Sequence, residues 1–435
     1  MIDRRLASEE YGRNWANYWS DTIGYRQQEP ELTYHDYRPF KSWLTGQFNE
    51  GKGWDESVFL MLTSHGKVGT RGESTLIAFH QGNPNRLAGE TLRVFHGTRI
   101  SCAECHADPF VDGLTQEMFH GVAAYFARTD VKIAQLNSNG IDIRSKSKGE
   151  HKYSGLKGEI VPDAFGQVKR PLGTSDLDRR EAFAYWLVSG DSPAFARAYV
   201  NRVWARLMGR GFVEPIDNMG KGVESKHELW MPVLDALADQ FVASGYDTKS
   251  LFRVILNTNG YQRMASGDDW SAPNRMGTVA KKLRGDEVFQ SLTTAINLPN
   301  VTPERQKKTA AVRFPPPAKS TQDLVNEAFG FDPSFDEQNV PRTMKQAMFM
   351  MNNPQIQAQV SAAPDSGTML AKLLKSQADD NLVTDHLYFN VLARYPSSSE
   401  RSIVLDHVGQ IEDRGPAFED VLWSLLNSTE FTTRR

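Results

Sequence analysis

The sequence has no strong excess of charge of either sign and no long hydrophobic run. Fifty Lys and Arg residues against 53 Asp and Glu residues give a formal charge of −3 at pH 7. A dedicated binder of nucleic acid or of a membrane surface normally carries a marked basic excess, so this balance argues against both classes. No stretch approaches the roughly 20 apolar residues that are needed to span a bilayer. The composition is instead that of an ordinary soluble globular protein, long enough for two or three domains.

Cysteine is nearly absent from the chain. The two cysteines are Cys102 and Cys105, and they are followed directly by His106. C-x-x-C-H is the attachment signature of a c-type haem, in which two thiols bind the porphyrin and the adjacent imidazole binds the iron. The motif predicts covalent haem c on Cys102 and Cys105, with His106 as the proximal iron ligand. The alternatives are a Cys102–Cys105 disulfide, a zinc corner completed by His106 and one further ligand, or two unreactive thiols.

The motif does not by itself identify a sixth ligand for a haem iron. His96 is the first candidate, because it precedes the motif on the same predicted helix–loop unit. The other candidates are Met118, His120, His65 and His80. Met118 lies on an apolar helical stripe, where methionine is more often a core residue. His96 and His120 are each more commonly surface or capping histidines.

The first residues of the chain do not resemble a secretory signal, because no apolar segment follows Arg4 and Arg5. Haem c is attached outside the cytoplasmic membrane, so a protein that carries it needs an export signal. We therefore expect the chain to be a mature or truncated piece of a periplasmic or cell-surface protein.

Apolar residues that recur every three or four positions predict a mainly α-helical protein. The clearest helix is predicted over Pro193–Met208, where two adjacent apolar stripes indicate a central core helix. Between residues 129 and 174 the periodicity fades and lysines alternate with glycines, which predicts a linker with one short β-hairpin around Glu159 to Val168. The sequence thus predicts two helical domains, residues 1–128 and 175–435, joined by a linker over 129–174.

The second predicted domain contains two groups of polar residues that could bind a ligand. The first group lies on the polar side of the core helix and consists of Asn201, Arg202, Arg206 and Arg210. Its arginines could bind a carboxylate or a sulfate, as in a glycan or sulfated polymer, although such residues more often bind acidic side chains within a fold. The second group could ligate a metal but lacks a tight spacing such as H-E-x-x-H: Glu214, Asp217, His227 and Glu228. A hydrolytic enzyme that uses Arg202 and His227 is a weaker hypothesis.

The residues around the cysteines resemble a known family. ISCAECHADPFVDGLTQEMFHGVAAYF (Ile100–Phe126) is similar to the planctomycete cytochrome-like domain of bacterial surface and periplasmic proteins. The second half resembles the planctomycete domain that usually follows it, through FARAYVNRVWARLMGRGFVEPIDNMG (Phe195–Gly220) and LWSLLNSTEF (Leu422–Phe431). Both families are of unknown function. The resemblance implies export, often a further cytochrome-like module upstream, and haem c. The family commonly continues C-H-x-H-P, whereas Asp108 stands here in place of the second histidine.

Two functional hypotheses follow. The first is an exported c-type haem protein with an electron-transfer or other haem-dependent redox role at the bacterial cell envelope, acting with an unidentified redox partner or envelope protein. The second is a non-redox surface scaffold or polysaccharide-associated protein, in which Cys102 and Cys105 form a disulfide or a zinc corner. Neither hypothesis includes a nucleic acid partner or a transmembrane segment, and neither decides whether the protein is an enzyme.

Overall fold

A computed structural model describes most of the chain. The described residues are 1–24, 38–108, 113–134, 140–155, 157–190, 193–219, 230–263, 278, 280–303, 318–331 and 343–434. They form two compact units, one up to residue 278 and one from residue 280 onward. Both units are predominantly helical, which confirms the predicted fold class. None of the helices described is long and apolar enough to cross a membrane.

The first unit is built from eleven α-helices within the described residues. Their ends follow local sequence signals; at the start of α6, for example, the Asn83 side chain accepts hydrogen bonds from two backbone N–H groups and Pro84 occupies the first turn. The helices are α1 (Ile2–Leu6), α2 (Glu9–Gly24), α3 (Arg38–Glu50), α4 (Trp54–Thr63), α5 (Thr75–Phe79), α6 (Pro84–Thr91), α7 (Gln116–Ala123), α8 (Asp176–Val188), α9 (Pro193–Met208), α10 (Met231–Ala243) and α11 (Thr248–Leu256).

One hydrophobic core holds the first unit together. Trp19 of α2 packs on Trp54 of α4, with ring centroids 4.2 Å apart, and on Tyr199 of α9, at 5.4 Å. All three rings are fully buried. The helix predicted over Pro193–Met208 is confirmed residue for residue. Because α9 shares its core with α2 and α4, the structure does not separate residues 1–128 from this part of the predicted second domain.

The segment predicted as a linker, residues 129–174, is a structured part of the first unit. It supplies two strands of a three-stranded antiparallel sheet, whose order is β1 (Gly66–Lys67), β3 (Ile141–Ser145), β2 (Thr129–Ile133). It also contains the predicted hairpin, formed by β4 (Asp163–Ala164) and β5 (Val168–Lys169). Strands of two to five residues leave almost no periodic signal in a sequence, so the prediction of a linker was wrong about how much structure this segment contains.

A buried carboxylate ties this segment to the helices. Glu150 accepts hydrogen bonds from Arg128 and Arg179, each at 2.6 Å, and from the Gly173 backbone N–H at 3.0 Å. The Arg179 side chain is completely buried and that of Glu150 is 7% exposed. Since a buried guanidinium needs a carboxylate partner, this cluster fixes residues 129–174 against α8.

The second unit is a separate helical array with its own core. Leu292, Val325, Leu370, Leu387 and Phe418 are among its buried residues. Capping boxes begin several of its helices, one of them formed by Ser397 and Glu400. Its elements are β6 (Lys281–Lys282), α12 (Gly285–Ile296), α13 (Thr321–Phe329), α14 (Met344–Asn352), α15 (Pro354–Val360), α16 (Met369–Ser376), α17 (Asp380–Leu392), α18 (Ser398–Gln410), α19 (Arg414–Leu426) and β7 (Thr433–Arg434), with β6 and β7 paired antiparallel.

The first prediction concerns the Glu150 cluster. Glu150→Gln should lower the free energy of unfolding of the first unit by about 3–5 kcal/mol, because two buried guanidinium groups lose their carboxylate. Chemical denaturation at neutral pH measures this change. The matched control is Asp239→Asn on the exposed side of α10, which should change the free energy by less than about 0.5 kcal/mol. Equal effects of the two substitutions would contradict the assignment.

The same cluster predicts a pH dependence. Burial by itself raises the pKa of Glu150, but the hydrogen bonds from Arg179, Gly173 and Arg128 outweigh burial and hold the pKa below its ordinary value. A carboxylate with a lowered folded-state pKa stabilises the fold above its unfolded-state pKa, and this contribution is lost as the pH falls through the folded-state pKa. The stability difference between wild type and Glu150→Gln should therefore shrink below about pH 4.3. A difference that grows on acidification would contradict this.

Candidate functional site: the cysteine turn

The cysteines lie on a single tight turn of the first unit, which we call the cysteine turn (Ile100–His106). Its centre, Ser101–Glu104, is a 3₁₀-helix. The backbone N–H of Ala103 donates to the Ile100 carbonyl at 2.9 Å, and that of Cys105 donates to the Cys102 carbonyl at 3.4 Å. Side chains three residues apart eclipse each other in a 3₁₀-helix. The turn therefore has one face that carries Ile100 and Ala103 and another that carries both cysteines.

The two faces of the cysteine turn differ in exposure. Ile100 and Ala103 are fully buried and belong to the core of the first unit. Cys102 and Cys105 are exposed free thiols. The buried pair anchors the turn by removing apolar surface from water, while both sulfur atoms stay accessible on one side. Such a pair can react together with one ligand or with each other.

His106 is exposed, and a backbone contact favours one tautomer of its neutral ring. Its Nδ1 lies 2.8 Å from the Ala107 carbonyl oxygen. Because a carbonyl only accepts hydrogen bonds, Nδ1 of the neutral ring carries the proton and Nε2 keeps its lone pair. Metal-binding histidines commonly have this arrangement, in which one ring nitrogen donates to a carbonyl and the other binds the metal. Two accessible thiols beside such an imidazole are the donor set that a c-type haem requires, so these residues fit that group.

Glu104, which lies between the two cysteines, is held at both its side chain and its carbonyl. Asn85 of α6 donates to the Glu104 carboxylate at 2.8 Å. The Glu104 carbonyl oxygen lies 3.3 Å from Gln116 Nε2 and 3.2 Å from His120 Nε2 on α7. The cysteine turn is therefore fastened to two neighbouring helices through a residue that bears neither thiol.

His96, the expected sixth ligand, lies at the end of a π-helical turn that spans Leu92–His96. Its Nδ1 is 2.8 Å from Thr98 Oγ1, and its ring stacks on Trp186 with a centroid distance of 5.6 Å. Burial lowers the pKa of His96 to about 4. None of the contacts given for the described residues links the His96 ring to the His106 ring.

The other ligand candidates differ in burial. Met118 is partly buried and packs against the core, in keeping with the common role of methionine. His65 is exposed. His80 is buried, neither of its ring nitrogens has a hydrogen-bond partner among the described residues, and burial lowers its pKa to about 4. His120 is buried and hydrogen-bonded to the cysteine turn, so it is not the surface or capping residue that its sequence context favoured.

His151 is the residue near the turn that sequence reasoning missed. Its Nε2 lies 2.9 Å from Nδ1 of His120. It comes from the segment predicted as a linker, 31 positions beyond His120, and no spacing rule connects two residues so far apart. Only the folding of residues 140–155 back onto α7 brings the two histidines together.

A buried ion-pair cluster lies just before the cysteine turn in the chain. Arg93 Nη1 donates to Asp217 at 2.8 Å, and Arg99 Nε donates to its other carboxylate oxygen at 2.7 Å. The Asp217 side chain is completely buried. Burial raises its pKa, but the nearby guanidinium groups of Arg202, Arg93 and Arg99 lower it by more, so that its pKa lies below the ordinary value. Asp217 therefore neutralises buried arginines.

The polar residues of α9 also have structural contacts. The guanidinium carbon of Arg202 lies 5.9 Å from the centre of the Trp19 ring. Asn201 is fully buried, and its side-chain amide donates to the Val213 carbonyl at 2.9 Å. Arg206 is buried as well. These contacts favour a role for Asn201, Arg202 and Arg206 in stabilising the fold over a role in binding an anionic ligand.

The loop proposed to hold metal ligands is only partly described. Glu214 accepts a hydrogen bond from the Gly211 N–H at 2.7 Å, and Asp217 belongs to the ion-pair cluster. His227 and Glu228 lie outside the described residues. Within the part of the chain that is described, no group of three or more His, Cys, Asp or Glu side chains is arranged to hold a metal ion.

Comparison with known families confirms that the chain matches two families of unknown function. Residues 1–131 match the family PSCyt2, described as a protein of unknown function (DUF1549). Residues 179–408 match PSD1, a protein of unknown function (DUF1553). The second match spans more than half of the chain, and the protein belongs to the PSD1 family. Comparison with curated proteins and with solved structures gave no match. The cysteine turn lies in the PSCyt2 region, and the PSD1 region extends across both compact units.

The exposure of the thiols predicts their reactivity. After reduction, the native protein should react rapidly with two equivalents of a disulfide reagent such as DTNB, because both sulfur atoms are accessible. Absorbance of the released thiolate measures the stoichiometry. Cys102→Ser and Cys105→Ser should each leave one reactive equivalent. A thiol that reacts only after denaturation would contradict the exposed geometry of the turn.

Proposed function

We propose that this protein is an exported c-type haem protein with an electron-transfer or other haem-dependent redox role at the bacterial cell envelope. The observation that carries the proposal is the cysteine turn, where two exposed thiols share a face and Nδ1 of the following imidazole lies 2.8 Å from the Ala107 carbonyl oxygen, so that Nε2 is the nitrogen left to bind iron. The proposal assigns the thioether bonds to Cys102 and Cys105 and the proximal iron ligand to His106. A bound haem supplies one-electron chemistry.

The chain's own residues determine how the attachment site is presented. Ile100 and Ala103 hold the turn on the core, so the thiols do not have to be ordered by the ligand. The bond from His106 Nδ1 to the Ala107 carbonyl leaves Nε2 as the ligating atom and restricts the ring. Asp108, in place of the family's second histidine, donates its backbone N–H to the Leu114 carbonyl at 2.9 Å.

The second candidate function is a non-redox surface scaffold. The observation that favours it is the same pair of accessible thiols, since two cysteines on one turn can also close a disulfide or form two corners of a zinc site. Under this hypothesis the protein would bind an envelope polymer or protein, and the cysteines would only stabilise the turn.

Covalent haem attachment separates the two functions. When the chain is exported together with the cytochrome c maturation machinery, it should retain one haem through denaturing electrophoresis, detected by haem staining and intact mass. Cys102→Ala/Cys105→Ala should abolish this retention, because no other cysteine is present. His65→Ala, which changes an exposed histidine of the same unit, should leave retention unchanged.

Two results would contradict the haem proposal. One is wild-type protein with the mass of the bare polypeptide after export with active maturation machinery. The other is stoichiometric zinc or a quantitative Cys102–Cys105 disulfide in that material, either of which would favour the scaffold.

We propose His96 as the sixth ligand. If His96 binds the iron, His96→Ala should leave the haem covalently attached but change the axial ligation, visible in the absorption and electron paramagnetic resonance spectra. His80→Ala is the matched control, because this buried histidine has no hydrogen bond to the part of the chain that the structure describes, and it should leave the spectra unchanged. Identical spectra for wild type and His96→Ala would exclude His96.

A further inference from the structure

The carbonyl between the two cysteines is the end of a chain of two buried histidines. His120 Nε2 lies 3.2 Å from the Glu104 carbonyl oxygen, and His120 Nδ1 lies 2.9 Å from His151 Nε2. His120 is 3% exposed and His151 is 9% exposed. The chain runs from the cysteine turn through α7 to the segment that follows β3.

The chemistry of the acceptor fixes the direction of every hydrogen bond in this chain. The Glu104 carbonyl can only accept, so His120 Nε2 must carry a proton. In the neutral His120 ring, Nδ1 is then an acceptor, and His151 Nε2 must donate to it. Burial lowers the pKa of His120, and burial with the adjacent His120 lowers the pKa of His151 to about 4. Both rings are therefore neutral near pH 7, and a single arrangement of protons satisfies the chain.

Aromatic packing restricts the orientation of the His120 ring. Tyr153 stacks on it with a centroid distance of 4.0 Å and an interplanar angle of 15°, and Phe119 meets it edge-on at 5.1 Å. His151 and Tyr153 come from the same short segment, residues 140–155. That segment consequently controls both the direction in which Nε2 points and the proton that it carries.

We propose that His120, oriented by His151, is a positioning residue for the cysteine turn. Its Nε2–H holds the Glu104 carbonyl and keeps Cys102 and Cys105 together on the exposed face, in the arrangement that double attachment to one porphyrin requires. His120 does not touch the porphyrin or the iron in this role. The effect on haem attachment rests on the proposed function. The hydrogen bonds from His151 to His120 and from His120 to the Glu104 carbonyl, which we call the clamp, do not depend on it.

The first test measures haem attachment in variants of His120. His120→Leu removes the donor, and a net hydrogen bond of about 1 kcal/mol corresponds to a roughly fivefold loss. The fraction of exported chains with covalent haem should therefore fall about fivefold. His120→Gln, whose Nε2 can donate to the same carbonyl, should restore most of the attachment. His80→Leu, at a buried histidine that has no hydrogen bond within the described ranges, should leave the attachment unchanged.

The rescue by glutamine separates positioning from a general role in folding. Attachment that falls equally in His120→Gln and His120→Leu, or that is unchanged in both, would overturn the proposal. If His120→Leu does not fold, His151→Phe keeps the test available, because it leaves His120 in place but removes the donor to its Nδ1. That variant should show a smaller fall in the same direction, and no fall would overturn the proposal.

The second test uses the haem-free chain, so that failure of the inference can be told apart from failure of the proposed function. Nitrogen-15 NMR of the imidazole rings should show His120 protonated at Nε2 and not at Nδ1 at pH 7. The backbone amides of Ala103 and Cys105 should exchange with solvent faster in His120→Leu than in wild type, while the amides of α9 are unaffected. A His120 ring protonated at Nδ1, or unchanged exchange in the turn, would overturn the clamp. A confirmed clamp in a wild-type chain that takes up no haem would overturn only the proposed function.

Discussion

A guanidinium group that leaves water needs a carboxylate beside it, and the first unit is organised around that requirement. Asp217 and Glu150 each accept hydrogen bonds from two arginines, and Asp176 pairs with Arg180 at 3.0 Å. The partners of Asp217 and Glu150 come from segments that are distant in sequence. Asp176 and Arg180 both lie in α8, but Arg180 also donates to the Leu62 and Ser64 carbonyls and so joins α8 to the end of α4. Uncompensated burial of the arginines in these clusters that are buried costs several kcal/mol, and this cost makes the arrangement specific.

The cysteine turn follows the same requirement. Its buried residues pack in the core or have hydrogen-bond partners, and its opposite face is exposed. Ile100 and Ala103 are buried, and the Glu104 carbonyl faces donors from Gln116 and His120. Just before the turn, Arg99 is fixed by Asp217, and the Gly97 carbonyl accepts from the Met219 N–H at 2.6 Å. The contacts described here hold the turn through its buried residues and through the Glu104 carbonyl, whereas Cys102, Cys105 and His106 are exposed.

The sequence predicted the helices well and the organisation of the chain less well. The helix over Pro193–Met208 carries a wide apolar face, and its ends are marked by Pro193 in the first turn and Gly209 directly after the last residue. The strands over residues 129–145 are too short to show a period, and the carboxylate that secures the segment, Glu150, finds its arginines only in three dimensions. The boundary between the two family matches lies between residues 131 and 179, whereas the boundary between the compact units lies near residue 279 of the sequence. Family boundaries in the sequence therefore do not mark where the core of the first unit ends.

The sequence by itself determined the fold class, the ends of the strongest helices and the presence of two thiols and an imidazole in one short motif, because each of these depends on residues that are neighbours in the chain. It could list His96, His120 and other histidines but could not rank them by their surroundings. Only the tertiary structure decided that His120 is buried against the cysteine turn and that His151 supports it, since this contact spans 31 positions. Burial, proton placement on imidazole rings and the pairing of buried charges are set by distant segments that meet when the chain folds, and local patterns do not encode those meetings.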